Sequence, residues 1–432
     1  MKVRTIWAVV WLGLLAVSCR QDPIFYVIST ETSPRKPRIE GAPTNMAVFQ
    51  RVYPDPDQPD QTKKVPILYV ASGRLHWYAQ SPDTGMPQWD VGEYPIPQPE
   101  GKIIALAVTR DAVTGDRLYA LCRDGHGINA ILRYIESGGD EWKTVRSHTA
   151  EIQSIYADPQ SRRLFAGAGR NTYDILYLDN TDTLKTLKSN TAIFSGAVCR
   201  EEAGKTIYYV STRGDGIFRV SEDTLHNADL AGDAVDPGSV TQLVDNTPNE
   251  FNTRNNRLFM SLIKLQDNTT IIAVERDGGS LYAIPDDSSG SFVRMRYTFG
   301  NNDWIATGKY ATKAIALWED YLDPQRKLLI TGIQGGLYST TTSSYTYGYV
   351  EFELLGDSFN TAAGRHDPGG LHSVEDQDRY TTSLGKHPIN HLFQTPREID
   401  PDMTFFASTQ TAGLWSYRNR PDNGGWQWNA EE

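Results

Sequence analysis

The chain has 432 residues, 42 Lys and Arg against 53 Asp and Glu, a net charge of −11 and 39% hydrophobic residues. An acidic chain with no basic run argues against nucleic-acid binding and against surface docking on anionic lipid. The apolar content is enough for a globular core, and no mature segment is long and apolar enough to be read as a membrane span.

The first residues read as a processing signal. Lys2 and Arg4 form a positive n-region, and Ile6 to Val17 is an apolar stretch within the range of a secretory h-region, about 7–15 residues. The stretch ends Ala16-Val17-Ser18-Cys19, which resembles the lipobox of bacterial lipoproteins, with Ala16 where Leu is usual. The resemblance implies cleavage after residue 18 and lipidation of Cys19. Removing residues 1–18 takes Lys2 and Arg4 away and brings the net charge from −11 to −13. Several acyl chains hold a protein firmly where a single one does not. Residues 19–44 are expected to be a flexible tether, since 33–43 (SPRKPRIEGAP) carries three prolines and no periodicity. Ile24–Thr30 is a stray strand candidate within it.

From Asn45 to residue 430 short strands follow one another, punctuated by Gly, Asn, Asp and Pro, without convincing helical periodicity. A third element built like Gly-Leu-Tyr recurs at Arg74–Trp77, Asn129–Leu132, Asp174–Tyr177, Gly216–Phe218, Ser280–Tyr282, Gly336–Tyr338 and Gly413–Trp415. Residues 73–90 align without gaps on 412–429, with Leu, Tyr, Pro, Asp, Gly, Gln and Trp coinciding at seven of eighteen positions. Four strands in a repeat of about 55 residues is propeller spacing, slightly longer than WD-repeat or kelch units. The expectation is a single all-β domain, a seven-bladed β-propeller of four-stranded antiparallel blades. Blades one and seven should each carry their own outer strand and close the ring by packing on each other. Cys122 and Cys199, in blades two and four, should be buried free thiols.

Ser81-Pro82-Asp83-Thr84-Gly85 with Trp89, and Pro421-Asp422-Asn423-Gly424 with Trp428, resemble the Asp-box turn of sialidase-type propellers. The Trp comes one residue late, and Arg420 replaces Ser in the second copy. In that family the box is structural, so Asp83, Gly85, Trp89, Asp422, Gly424 and Trp428 are expected to build turns, not a glycosidase site. His387 and His391 lie four apart on an extended run, about 13 Å from each other, too far for one ion. His366, Asp367 and His372 read as solvated loop residues. No metal, cofactor or catalytic residue is expected, and no phosphate loop, nucleophile elbow or HExxH is present. Arg213-Gly214-Asp215 reads as turn chemistry.

The longest expected links between blades are Asn246–Asn256, Gly300–Tyr310 and Gly356–Lys386. They share one face and carry Phe251, Trp304, Phe359, Arg365, His366, Arg379 and Tyr380, a mixture typical of recognition surfaces. Tyr53–Pro66 and Glu222–Gly238, on the other face, read as solvated loops. At the class level, lipobox plus repeats resemble the envelope propeller lipoproteins of diderm bacteria (YncE-like, NHL-like and BamB-like). That resemblance implies a non-enzymatic scaffold, membrane-bound through its lipid alone, whose partners are other envelope proteins. Two rivals remain open. One is a hydrolase, lactonase or lyase at the channel mouth, with Asn45, Asn390, Glu319 and Asp320 as candidate lining; the other is a surface adhesin or antigen.

Overall fold

The computed structural model describes residues 39–431 except 56–57, 59, 91–95, 112–114, 127–129, 146–149, 247–256, 265–270, 276–280, 285–289, 295–297, 300–301, 304–310, 320–326, 340–341, 354–388 and 421–424. The fold is all-β and propeller-like, built from antiparallel sheets, most of them four-stranded, that follow one another along the chain. Sheets of four strands span 47–89, 102–144, 152–191, 194–242 and 389–430. The sheet at 259–294 gains a fifth strand, because Val244–Asp245 from the preceding link pairs in parallel with its outer strand, Ser291–Arg294.

Among the described residues, the second strands of the four- and five-stranded sheets are mostly apolar because both of their faces are covered. In Ile67–Ala71 the side chains alternate between two cores. Ile67, Tyr69 and Ala71 pack toward Ile103, Leu106 and Leu118 of the next sheet. Leu68 and Val70 turn the other way, toward Phe406 and Leu414 of the last sheet. The same alternation joins 102–144 to 152–191, 152–191 to 194–242, 194–242 to 259–294 and 311–353 to 389–430. Inner strands Phe259–Lys264 and Ala311–Glu319 are also in contact.

The first and last sheets therefore pack on each other. Trp89 sits 5.0 Å from the Tyr78 ring and 5.5 Å from Phe406. Its Nε1 donates to Glu431 Oε2 at 2.7 Å, and the Tyr78 hydroxyl donates to Asp400 at 3.1 Å. Each of the two sheets takes all its strands from its own segment, as the internal repeat predicts; Ile24–Thr30 lies outside the described residues. The tether boundary does need correcting. Ile39 is fully buried, and its carbonyl and that of Gly41 accept from Leu414 N and Gly413 N, each at 2.9 Å. The Pro43 carbonyl accepts from Ser408 Oγ, and Thr44 N donates to the Ala71 carbonyl. Residues 39–44 thus form a strap across the seam, held by backbone hydrogen bonds that carry no periodic sequence signal.

Two further expectations are corrected. Glu222–Gly238 is not simply a solvated loop, because Glu222–Ala231 forms helix α1. Ser221 caps it by accepting from Thr224 N, Glu222 and Asp223 stand in its first turn, and Gly232 ends it in the left-handed region. Its buried Leu225 and Ala228 join the core between the third and fourth sheets. In the sheet at 311–353, Gly336–Tyr338 does not start a third strand. It stays in the long strand Lys327–Ser339, paired with Thr342–Glu353, giving three strands among the described residues. The Thr- and Tyr-rich partner favours extended ladder, and the glycines permit it.

The inner strands share a local feature. Six of them carry a one-residue bulge, skipping Ile104, Gln153, Ser195, Met260, Lys313 or Asn390 in the ladder. A bulge bends a strand and increases its twist, which suits strands that converge. The residues after the bulge are Ala105, Ser154, Gly196, Ser261, Ala314 and His391, small in all sheets but the last. Space at this radius is limiting. A Cβ on Gly167 would stand 2.8 Å from Phe194 Cβ and 2.9 Å from Ser154 Oγ. Gly167→Ala is therefore expected to lower the urea-unfolding free energy by about 1–3 kcal/mol. Gly125→Ala, where a Cβ would meet nothing within 4 Å, should leave it unchanged in the same measurement.

Candidate functional site

The inner-strand ends, where a channel-mouth site would lie, use their polar side chains to join sheets. Asn45 accepts from Leu106 N at 2.8 Å and donates its amide to the Leu106 carbonyl. Gln394 repeats the device on Glu319, accepting from its N–H and donating to its carbonyl, both at 2.8 Å. Away from the inner strands, Gln98 of the link after the first sheet clasps Leu75 of its third strand in the same way at 2.7 and 3.1 Å. Each carboxamide satisfies one backbone donor and one acceptor, replacing a missing strand neighbour. Asn390 is the bulged residue of its strand, and Asp320 lies outside the described residues. Among the described residues no group of three or more His, Cys, Asp or Glu could hold a metal ion.

His391 follows the bulge on the last inner strand, Ile389–Gln394. Its Nδ1 faces the Met46 N–H at 3.5 Å, a long contact in which the ring can only accept. Burial pushes its pKa down from 6.5 to about 4, so the folded protein holds the neutral ring. His387 lies outside the described residues.

On the end of the sheets where first and second strands connect, arginines are buried and paired. Arg163 (side chain 3% exposed) binds Glu222 and Asp229 of helix α1 at 2.6 and 2.7 Å, and despite burial these carboxylates raise its pKa. Tyr177 and Tyr208 donate hydroxyls to the same two acids. Arg200, 1% exposed, pairs with Glu202, which also binds Arg219 and Tyr209. These partners hold the Glu202 carboxyl below its usual range although burial opposes them. Asp158 and Asp400, each followed by Pro, cap turns at this end. Asp158 accepts from Gln160 N and, across sheets, from Cys199 N; Asp400 accepts from Asp402 N and Thr404 N. Such networks tie neighbouring elements together but present no free reactive group.

The opposite end carries the turns between second and third strands and the links from sheet to sheet. There, turns are stapled to links. Asp215 accepts from Ala192 N, its own N–H donates to Thr212 Oγ1, and its carbonyl accepts from Gln242. The Arg213-Gly214-Asp215 triplet is thus turn chemistry, as the sequence suggests. Gly216 N donates to the Arg257 carbonyl and Arg213 bridges to Leu258, which holds the next link. Exposed arginines crown this end: Arg74, Arg123 and Arg170 have side chains 55%, 42% and 63% exposed, and Arg213 is exposed as well.

The sequence-derived recognition residues Phe251, Trp304, Phe359, Arg365, His366, Arg379 and Tyr380 lie outside the described residues, as do Cys19, Asp422, Gly424, Asp367 and His372. Trp428 is on the last strand, paired by its backbone with Tyr417. Of the first Asp-box-like turn, Gly85 takes a φ of 67° and donates to the Ser81 carbonyl. Thr84 Oγ1 accepts from Met86 N, so Thr84, and not the exposed Asp83, supplies the side-chain hydrogen bond of this turn. Trp89 is a seam residue. Cys122 and Cys199 are buried free thiols in the second and fourth sheets, pushed up by burial to about 11 and about 12. Sequence reading missed the helix-bound Arg163 cluster, although Ser221 followed by Glu222 and Asp223 is an N-cap signal.

No protein-family model matches the chain, and no curated protein matches it. Solved structures with related strand arrangement include U3-55K (TM-score 0.47, 11% identity, 88% of this chain and 97% of that one). Peptide-bound YCF48 is another (TM-score 0.42, 10% identity, 89% and 94%). Neither likeness bears on what this chain does, and the fold rests on its own sheets.

His391 generates a pH dependence of defined sign. Its folded pKa lies below the unfolded one, so its contribution is intact above pH 6.5 and is lost as pH falls toward 4. The loss amounts to about 3 kcal/mol at most. Urea unfolding of His391→Gln is expected to show a shallower fall in stability than the wild type between those pH values; equal slopes would contradict it.

Proposed function

We propose that this is a lipid-anchored, exported envelope protein: a seven-bladed propeller serving as a protein-interaction scaffold without catalytic activity. Residues 1–18 are its signal and Cys19 its lipidated end. The sheets at 47–89, 102–144, 152–191, 194–242, 259–294, 311–353 and 389–430 are its blades, and the shared core of the first and last sheets supports closure of the ring. The binding face carries the second-to-third-strand turns and the blade-to-blade links, including Gly356–Lys386.

One observation carries the scaffold reading over a channel-mouth enzyme. Asn45 and the Glu319 backbone, two of the candidate channel groups, are engaged in sheet-to-sheet clasps, while the turns between second and third strands offer exposed, differently charged side chains held in fixed positions by staples. A rigid platform of turns from successive sheets is a recognition surface.

Crosslinking and pull-down from intact envelopes test this reading, comparing wild type with a deletion of Gly356–Lys386 and with Cys19→Ser. Wild type is expected to capture envelope proteins that the deletion loses, and Cys19→Ser is expected to leave the membrane fraction. Identical partners from wild type and deletion would overturn the assigned face; membrane retention of Cys19→Ser would overturn the anchor.

A further inference from the structure

Arginine recurs around the junction of second and third strands. Arg123 ends its second strand, Arg170 and Arg213 directly follow theirs, and Arg74 opens a third strand, in the first four sheets; Arg276 follows the second strand of the next repeat, outside the described residues. Gln410 stands there in the last sheet, while Gln334 lies within the long strand Lys327–Ser339. The contrast with the other end is one of burial. Arg163 and Arg200 are 3% and 1% exposed and engaged, whereas Arg74, Arg170 and Arg213 are exposed and Arg123 is partly so.

The turns are neighbours. Glu151 meets Arg170 at 2.8 Å and Arg123 at 3.9 Å, bridging the second and third sheets. Arg74 is held by Asp90 at 2.7 Å, and that carboxyl, though burial opposes it, is kept low by His76, Trp77 N–H and Arg74. Arg213 forms no ion pair among the described residues, though its charge acts on the Tyr156 hydroxyl, and its backbone N–H is fixed to the Ile193 carbonyl. An exposed guanidinium on a fixed turn presents a planar fork suited to carboxylate or phosphate oxygens.

From this crown we infer that the turn face binds an extended acidic segment of a partner protein, whose carboxylates seat on Arg123, Arg170 and Arg213. The inference rests on the proposed use of this face as the scaffold's binding surface. Spacing and charge favour a peptide over a dense polyanion. Packed sheets lie about 10 Å apart and extended chain rises about 3.3 Å per residue, so a carboxylate at every third residue meets successive turns. Glu151, Asp90 and Asp215 interleave with the arginines. A continuous run of phosphates would be repelled by them, whereas a peptide offers N–H groups and uncharged residues at those places.

The test uses the full chain in detergent and a fluorescein-labelled (Glu-Gly-Ser) repeat peptide of about a dozen residues, read by fluorescence anisotropy. Wild type is expected to bind in low salt and to weaken as salt rises. Arg123→Ala/Arg170→Ala/Arg213→Ala is expected to bind at least about tenfold more weakly, a loss of about 1.4 kcal/mol, with its melting midpoint unchanged. The corresponding Lys triple should recover part of the affinity. If the Ala triple melts early, Arg213→Gln alone, which disturbs no ion pair among the described residues, should still weaken binding. Failure of wild type to bind, equal binding by the Ala triple, or tighter binding of inorganic polyphosphate than of the peptide overturns the inference. Envelope crosslinking of the Ala triple separates the two readings: partners retained there, but lost on deleting Gly356–Lys386, leave the scaffold standing without the acidic segment.

Discussion

Among the described residues, the four- and five-stranded sheets are apolar on both faces, and each neighbour in the clusters covers one of them. That constraint shapes the rest. Tyr69 and Val70, adjacent in one strand, belong to different cores, so the first sheet is incomplete without both the second and the last. The seam between chain ends repeats the other contacts in kind, with an aromatic cluster of Tyr78, Trp89 and Phe406. It adds the 39–44 strap, which ties the start of the fold to Ser408, Gly413 and Leu414.

Convergence at the inner strands then sets local chemistry. Bulges, small residues and carboxamide clasps are three answers to the same crowding: they bend the backbone, remove volume and replace ladder partners that tapering sheets cannot supply. The polar residues involved are spent on structure. The two ends of the sheets divide the remaining polar chemistry. At one end arginines and acids are buried in closed networks, with helix α1 clamped by Arg163. At the other, short turns are pinned by backbone and side-chain hydrogen bonds while their arginine side chains reach toward water. A surface of this kind is ordered before it meets a ligand, which lowers the entropic cost of binding.

Strand order, sheet size and the pairing of chain ends were legible because alternation, turn residues and the 73–90 and 412–429 match are local signals that tertiary packing reinforces. Trp89 and Trp428 were legible as repeat positions, but only packing shows Trp89 at the seam. Helix α1 was hidden: its buried residues, Leu225 and Ala228, are too few to make an apolar stripe, and its stability comes from capping and from Arg163, distant in sequence. The 39–44 strap was hidden for a related reason, since carbonyl acceptors leave no trace in side-chain identity. The three-stranded sheet at 311–353 went the other way. Its Gly335-Gly336 pair signals a turn locally, and a long Tyr- and Thr-rich partner strand outweighs the signal.

The shared core of the first and last sheets couples the two ends of the sheet series. Hydrogen exchange on Phe406→Ala measures this most directly, comparing Ile67–Ala71 and Phe405–Thr409 with the distant strand Lys205–Thr212. A closed ring predicts that protection falls in all three together and that urea unfolding remains a single transition at a lower midpoint. Loss confined to the two seam strands, with Lys205–Thr212 as protected as in the wild type, would contradict it and describe an open stack.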